Sequence, residues 1–423
     1  MLKLDRVLIP RNVRGFESEA ELFDVVLQNQ RVVRISASEH ASVTGSNSIP
    51  AGLGTLPPLG TLLPCFVDLH VHIDKTHVVD EVGAAVGDLT QAIQLMAAHR
   101  VHWSGADMRI RMQQALVQAY GFGTRAMRTH LDWPDGQSPL SLAVFEQLRD
   151  EWRGRVALQC VSLTPLDVFA GDPEPAQNIA FEVAEANDRC QKSAGEAVLL
   201  GAFVYCNDHL HDKLRRVFEL AVQFNLNLDF HVDEGLDKQA RGLRAIAELT
   251  VKYGLEGRVT CGHACSLAVQ THAEAMDTLH LCAMAQIHLV ALPSTNLYLQ
   301  GAWDRTPVER GITRLKEALA CGVSTSIATD NVADGFFPYG SYDLLETFGL
   351  GVQVAHLDPA AAWLAAITTR PAQAMGLPWD GKLAEGCPAD LVLLHARNSY
   401  ELLNAAGRKR GVIRGGQFLQ GQA

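Results

Sequence analysis

The chain has 423 residues, 48% hydrophobic and 20% charged, with a formal net charge of -11 from 47 acidic and 36 basic residues. Such values allow a large buried core and exclude a disordered or fibrous chain. The acidic balance argues against nucleic acid or an anionic membrane surface as partner, because both are held by Lys and Arg patches.

The chain opens MLKLDRVLIP, where Asp5 and Arg6 interrupt the apolar stretch that an export signal needs. No uncharged apolar run approaches the roughly 18 residues of a membrane span. A cytoplasmic protein is expected. Nine cysteines are present without a C-x-x-C pair, which reads as free thiols in a reducing compartment, several of them (Cys160, Cys206, Cys261) inside apolar runs.

Residues 1 to 63 hold short apolar segments such as DVVLQNQRVVRI, broken by a Ser/Asn/Gly/Pro-rich stretch from Ser36 to Pro58. That pattern predicts a few β-strands with loops. Residues 64–376 alternate between short apolar runs and longer segments with helical spacing. The strand candidates are LLPCFVDLHVH (62–72), TRAMRTHLD (124–132), RVALQCVSL (155–163) and AVLLGAFVYC (197–206), then LNLDFHVDE (226–234), RVTCGHAC (258–265), HLVALPSTN (288–296) and STSIATDN (324–331). Strands that are apolar along their whole length and separated by helices imply a parallel sheet. Eight such units predict an α/β fold closed into a (β/α)8, or TIM, barrel. Residues 377–423 return to short strands, ADLVLLHA and GVIRGGQFL, with Gly415-Gly416 read as a hairpin turn.

Chemistry in such a barrel sits where the strands end. The first run ends in His70-Val71-His72, two imidazoles that project to one face because strand side chains alternate. The fifth ends in His231-Val232-Asp233-Glu234, the sixth carries His263, and the eighth ends in Asp330-Asn331. Three His and one carboxylate on one rim suit a transition metal. His130, at the end of the second run, reads equally as a pocket residue or a structural hydrogen-bonding group. Asp74 and Lys75 would pair with each other or shape the rim, and Asp233 and Asp237 read as ordinary loop charges.

This set of motifs resembles the amidohydrolase superfamily over nearly the whole chain: His-x-His on strand 1, single His on strands 5 and 6, and Asp on strand 8. The C-terminal GKLAEGCPADLVLL (381–394) and VIRGGQFL (412–419) look like that superfamily's return into a small domain. The resemblance implies a small β-sandwich domain from both termini, 1–63 plus 377–423, beside a catalytic barrel of 64–376. Many members carry a metal-bridging Lys on strand 4; AVLLGAFVYC has none, so one divalent metal ion (Zn or Fe) is expected. His-x-x-Glu at strand 5 looks like the deaminase branch.

Three longer stretches resemble the bacterial cytosine deaminase group: HVDEGLDKQARGL (231–243), NLYLQGAWDRTPVERGITRLKEALACGV (296–323) and DNVADGFFPYGSYDLLE (330–346). By that resemblance His70, His72, His231 and Asp330 hold the metal, and Asp330 also takes a proton from the attacking water. His263 orients or stabilises that water. Glu234 protonates a ring nitrogen and then the departing amine.

The substrate region departs from the cytosine deaminase pattern. SLTPLDVF (162–169), which contains Leu166, lacks the Gln that reads the pyrimidine edge; Asn331 replaces an Asp; and Phe336-Phe337 replaces a Trp. The HVHIDK (70–75) and TDN (329–331) variants look more like N-isopropylammelide hydrolase. The expected function is deamination of a pyrimidine or related nitrogen heterocycle, with release of ammonia. The alternative is hydrolysis of an N-alkylamino substituent or a cyclic amide. The expected substrate contacts are Asn331, Phe336, Phe337, Leu166 and His130. The expected partner is a small-molecule heterocycle, and a homo-oligomer is a candidate state.

A non-catalytic scaffold would show broken ligands, and none is broken. Small zinc deaminases need P-C-x-x-C beside H-x-E, so His272-Ala273-Glu274 reads as chance. The near phosphate loop from Gly376 to Lys382 fails because Leu383 stands where Ser or Thr is required.

Overall fold

The computed structural model describes residues 1–38, 60–85, 87, 89–190, 195–404 and 409–419. Eight parallel strands form one sheet: β5 (Phe66–Val71), β6 (Thr124–Asp132), β7 (Ala157–Pro165), β8 (Ala197–Val204), β9 (Leu228–Val232), β10 (Val259–His263), β11 (His288–Ala291) and β12 (Ser324–Ile327). They lie in chain order, and a parallel bridge between Val71 and Asp330 joins the last strand's extension to the first. This is the expected (β/α)8 barrel.

The strands are buried on both faces because helices cover the outside. Helix Leu210–Gln223 buries Leu214, Val217, Phe218 and Ala221, spaced three and four apart. It turns Arg215 outward to pair with Glu219 at 2.8 Å. A large apolar layer between helices and barrel includes Met112, Phe145, Trp152, Phe218 and Leu279.

The termini supply a second, mixed sheet of seven strands: β1 (Leu2–Leu8), β2 (Leu22–Gln28), β3 (Arg31–Ala37), β4 (Gly60–Pro64), β13 (Leu391–Leu394), β14 (Arg410–Arg414) and β15 (Gln417–Phe418). Its order is β15-β14-β13-β4-β1-β2-β3, so the C-terminal strands join the N-terminal ones along the β13–β4 edge in the small β-sandwich domain. β4 runs parallel to β1 and antiparallel to β13. Gly415 and Gly416, both with positive φ, turn β14 into β15, as Gly-Gly does in a two-residue hairpin. Val25, Leu63 and Leu391 of this sheet share a core with Phe348 and Trp363 from the barrel side.

The apolar run 62–72 is two strands in two sheets. Pro64 has no N–H to donate and ends β4, Cys65 is the break, and β5 starts at Phe66. The seventh and eighth runs are shorter strands than expected. β11 ends at Ala291 because Pro293 starts helix Pro293–Leu299, and β12 ends at Ile327. All nine cysteines are free; Cys206 is exposed rather than buried in its run. Among the described residues no helix is long and apolar enough to cross a membrane.

Inside the barrel, away from the strand ends, Arg128 is buried. Its guanidinium donates to Asp229 Oδ2 (2.8 Å), Thr260 Oγ1 (3.0 Å), Gln159 Oε1 (2.9 Å) and the Ala374 carbonyl (3.1 Å). Four partners from separate elements satisfy a charge that would be costly to bury alone.

Candidate active site and metal centre

β5, β9, β10 and the residues after β12 bring His70, His72, His231, His263 and Asp330 together at the strand ends, all buried. His231 Nε2 lies 3.1 Å from His70 Nε2 and 3.1 Å from His72 Nε2. Asp330 Oδ1 is 3.2 Å from His72 Nε2 and 3.6 Å from His70 Nε2. Two donors bound at about 2.1 Å to one tetrahedral ion sit about 3.4 Å apart, so the spacing fits a single metal ion.

The protonation states agree with that fit. Burial first, and then the neighbouring imidazoles, hold His70 and His231 well below the usual histidine range, so both are neutral donors. His72 Nδ1 lies 3.3 Å from the His130 carbonyl, which directs the Nε2 lone pair into the cluster. Neither Asp330 carboxylate oxygen has a hydrogen-bond partner among the described residues. A buried carboxylate without partners is expensive, and a cation would remove the cost.

Four residues at this rim hold left-handed backbone without being glycine: Asp233 (φ 49°), His263 (φ 69°), Ala264 (φ 50°) and Asp330 (φ 67°). Such conformations are uncommon outside glycine and collect at functional sites, where the surrounding fold fixes them. A Cβ on Gly262 would lie 2.9 Å from His70 Cε1, so β10 approaches that imidazole as only glycine permits.

Glu234 and His263 stand beside the cluster. Glu234 Oε1 is 3.5 Å from His263 Nδ1, and Asn296 Nδ2 reaches the same nitrogen at 3.0 Å. Burial, then the charge of Asp330, pushes the Glu234 carboxyl well above the usual carboxylate range. Burial holds His263 at about 4. The pair is thus a neutral carboxylic acid beside a neutral imidazole, a proton source and a hydrogen-bonding group.

A cleft opens over these groups, and Glu234, His263 and Asn331 line it. Phe336 lines it too, with the Lys75 ammonium 5.6 Å from its ring centroid. Phe337 does not: it packs against Tyr298 and Tyr339 at 5.7 and 5.8 Å. Asp334 separates the two rings, accepting the N–H of both, at 2.9 and 3.0 Å, and Asn331 Nδ2 at 2.7 Å.

Leu166 is also displaced from its expected role. Leu163 and Pro165, two apart, face the cleft, while Leu166 begins a 3-10 turn (Leu166–Phe169) and is buried in the apolar layer. His130 is neither a cleft wall nor a hydrogen-bonding group. It stacks on His70 at 3.9 Å, and both its ring nitrogens lack partners among the described residues. With His70 and His231 it forms a second group able to hold a metal ion, next to that of His70, His72 and Asp330.

Lys75 pairs with Asp132 rather than Asp74, and Arg100 joins the same carboxylate at 3.1 Å. Asp74 accepts the Asp132 N–H at 3.1 Å. Asp233 is no loop charge. It is buried and accepts the N–H groups of Gly242 and Leu243 at 3.1 and 2.9 Å, at the start of helix Gly242–Tyr253. Glu274 of the stray H-x-E closes a capping box with Thr271.

Three cleft groups were missed from sequence. Helix Leu89–Arg100 covers the cleft with Leu89, Ile93, Met96 and Arg100; their spacing of four, three and four is the signal that was present. Trp133, just past β6, lines the cleft, and its buried indole N–H has no partner among the described residues. Phe203, near the end of β8, forms the facing wall.

Residues 191–419 match the amidohydrolase family. The chain is 39% identical over 363 residues to a pterin deaminase of Rhizobium rhizogenes, covering 85% of this chain and 80% of that one. It belongs to the amidohydrolase family. This amidohydrolase is therefore a hydrolase acting on carbon–nitrogen bonds. It is 21% identical to the N-isopropylammelide isopropyl amidohydrolase of a Pseudomonas species over 430 residues, 97% of this chain and 96% of that one. The structure of 5-methylcytosine deaminase from Klebsiella pneumoniae liganded with 5-fluorocytosine superposes with a TM-score of 0.80 at 25% identity, covering 100% of this chain and 98% of that one.

Proposed function

We propose that this amidohydrolase hydrolyses the exocyclic amino group of a pterin, a 2-amino-4-oxopyrimidine fused to a pyrazine ring. Water adds at the amino-bearing carbon, the C–NH2 bond breaks, and the products are the 2,4-dioxo ring and ammonia. The 39% identity to a pterin deaminase over 85% of the chain carries this reading, and the buried Glu234–His263 pair beside the His/Asp cluster supports it.

His70, His72, His231 and Asp330 would hold one divalent ion, Zn or Fe, both of which accept imidazole and carboxylate donors. That ion supplies a nucleophile near neutral pH by acidifying water. Asp330, a ligand through one carboxylate oxygen, would take the proton that the water loses. His263 accepts at Nδ1 from Asn296 and so presents Nε2–H to the developing oxyanion. Glu234, held protonated by burial, donates to the ring nitrogen beside the amino carbon and then passes a proton to the leaving amine. Phe336 and Trp133 confine the flat ring, and the Trp133 N–H is a donor awaiting a ring acceptor.

The test is ammonia release from the purified, metal-loaded protein with pterin, cytosine and an N-alkylaminotriazine as substrates. Ammonia from pterin at a rate well above the other two supports the reading. Alkylamine from the triazine with no ammonia from pterin would replace it with the N-alkyl reading.

A further inference from the structure

The cleft over the cluster continues into a second cavity that opens to solvent. Leu89, Ile93, Pro165, Phe203 and Glu234 line both, so the two meet at the residue proposed to protonate the ring. Trp133 and Met96 line the cleft as buried side chains and do not reach the second cavity. Phe203 and Glu234 stand where the two spaces meet, so a substituent on the ring can extend past them into the second cavity.

The walls of that cavity carry a chemical preference. Phe203 and Tyr205 both line it, their rings tilted at 37° with centroids 5.2 Å apart. Asp237 and Glu309 line it as carboxylates. Arg305 is the only guanidinium among its described lining residues, and it is already paired with Asp304 at 3.0 Å. Carboxylates accept hydrogen bonds from hydroxyls and repel anions. The wall is also tied to the site, since the Gln300 amide donates to the Glu234 carbonyl.

We infer that the second cavity is a subsite for the pyrazine-ring substituent of the pterin, and that it takes an uncharged, hydroxylated side chain rather than an anionic one. This rests on the pterin reading above. It assigns Tyr205, Ala302 and Thr90, which line the cavity away from the metal cluster, to substrate selection.

The experiment compares kcat/KM of the metal-loaded enzyme for pterin, for a pterin with a dihydroxypropyl side chain, and for one with an anionic aminobenzoyl-glutamate tail. Wild type is expected to use the hydroxylated compound at least as well as pterin and the anionic one about tenfold less well. Ala302→Trp and Thr90→Trp, on two separate walls, should each lower kcat/KM for the hydroxylated compound by about tenfold or more while pterin changes less than about twofold. Should one variant fold poorly, pterin turnover will fall with it, and the other variant decides. If both variants fold, a loss equal for both substrates, or none for the substituted one, overturns the subsite and leaves pterin deamination standing. A preference for the anionic tail overturns the charge assignment. No ammonia from any pterin overturns the parent reading and the subsite with it.

Discussion

The backbone N–H of Asp330 donates to the carbonyl of His70 at 2.9 Å. The side chains of these two residues also face each other, at 3.6 Å. The contact that closes the barrel between its eighth and first strands thus sets the spacing of two proposed metal ligands. Beside it, the Thr329 N–H donates to Asp68 Oδ1 at 3.1 Å, which fastens the same seam. Ligand spacing is therefore a property of barrel closure and should persist when the metal is withdrawn.

Chelation is accordingly expected to lower thermal stability without unfolding the barrel, since a ligand at about 100 times its Kd contributes about 2.7 kcal/mol. His70→Ala, His72→Ala, His231→Ala and Asp330→Asn should each reduce bound metal, measured by plasma mass spectrometry, from about one ion per chain. Full metal content in His231→Ala would remove the central member of the cluster, because His231 Nε2 is the atom 3.1 Å from both partners.

Glu234→Gln keeps the shape of the side chain but cannot lose or regain a proton. Ammonia release should fall by about 10²- to 10⁴-fold, the usual contribution of a general acid. Bound metal should stay at the wild-type level, because Glu234 is not in the donor group. Loss of metal together with activity would instead make Glu234 a ligand.

Gly262→Ala tests the packing behind His70. The new Cβ would sit 2.9 Å from His70 Cε1 and 3.0 Å from its Nδ1, closer than side-chain contacts ordinarily come. The imidazole must move, so weaker metal binding at near-normal folding is expected, read as metal retained after dialysis against a mild chelator. Unchanged retention would show that the ring can shift without cost.

Much of this site was legible because strand periodicity is simple. Two His spaced by one residue share a face, and reactive side chains at the ends of parallel strands share a rim. Past a strand end that periodicity stops. Phe336 and Phe337 are adjacent, yet Asp334 binds both backbone amides and turns one ring to the cleft and the other to Tyr298. Leu166 lies one residue past Pro165, and that single step carries it into the core. The helix from Leu89 to Arg100 shows its apolar stripe in sequence, but the surface it covers is fixed only by the tertiary fold. Pro64 was the readable signal that one apolar run is two strands.

Asp334 also makes stability depend on pH. Burial raises its pKa from 3.8 to about 7. The folded state therefore holds this proton more tightly than the unfolded chain does. Its contribution is fully present below about pH 4 and is lost as the pH rises through about 7. Wild type should lose stability relative to Asp334→Asn as pH rises through about 7, measured as denaturation midpoints across that window, because Asn cannot ionise. Parallel curves would show that Asp334 titrates alike in both states.

Arg128 gives a prediction independent of catalysis. It lies inside the barrel, and its guanidinium joins Asp229 on β9, Thr260 on β10, Gln159 on β7 and the carbonyl of Ala374. Arg128→Met fills similar space but leaves Asp229, with no exposed surface, without its counter-charge. Burial already raises the Asp229 carboxyl to about 6 against the pull of Arg128; without that pull it should rise further and hold a proton. Breaking one side of a buried pair costs about 3–5 kcal/mol, so an unfolding free energy lower by about that amount, with a correspondingly lower denaturant midpoint, is expected. The double variant Arg128→Met/Asp229→Asn should recover part of the loss above about pH 6, because it removes the cost of keeping Asp229 protonated in the fold. A double variant no more stable than the single one would place the cost in the lost hydrogen bonds to Gln159 and Thr260 instead.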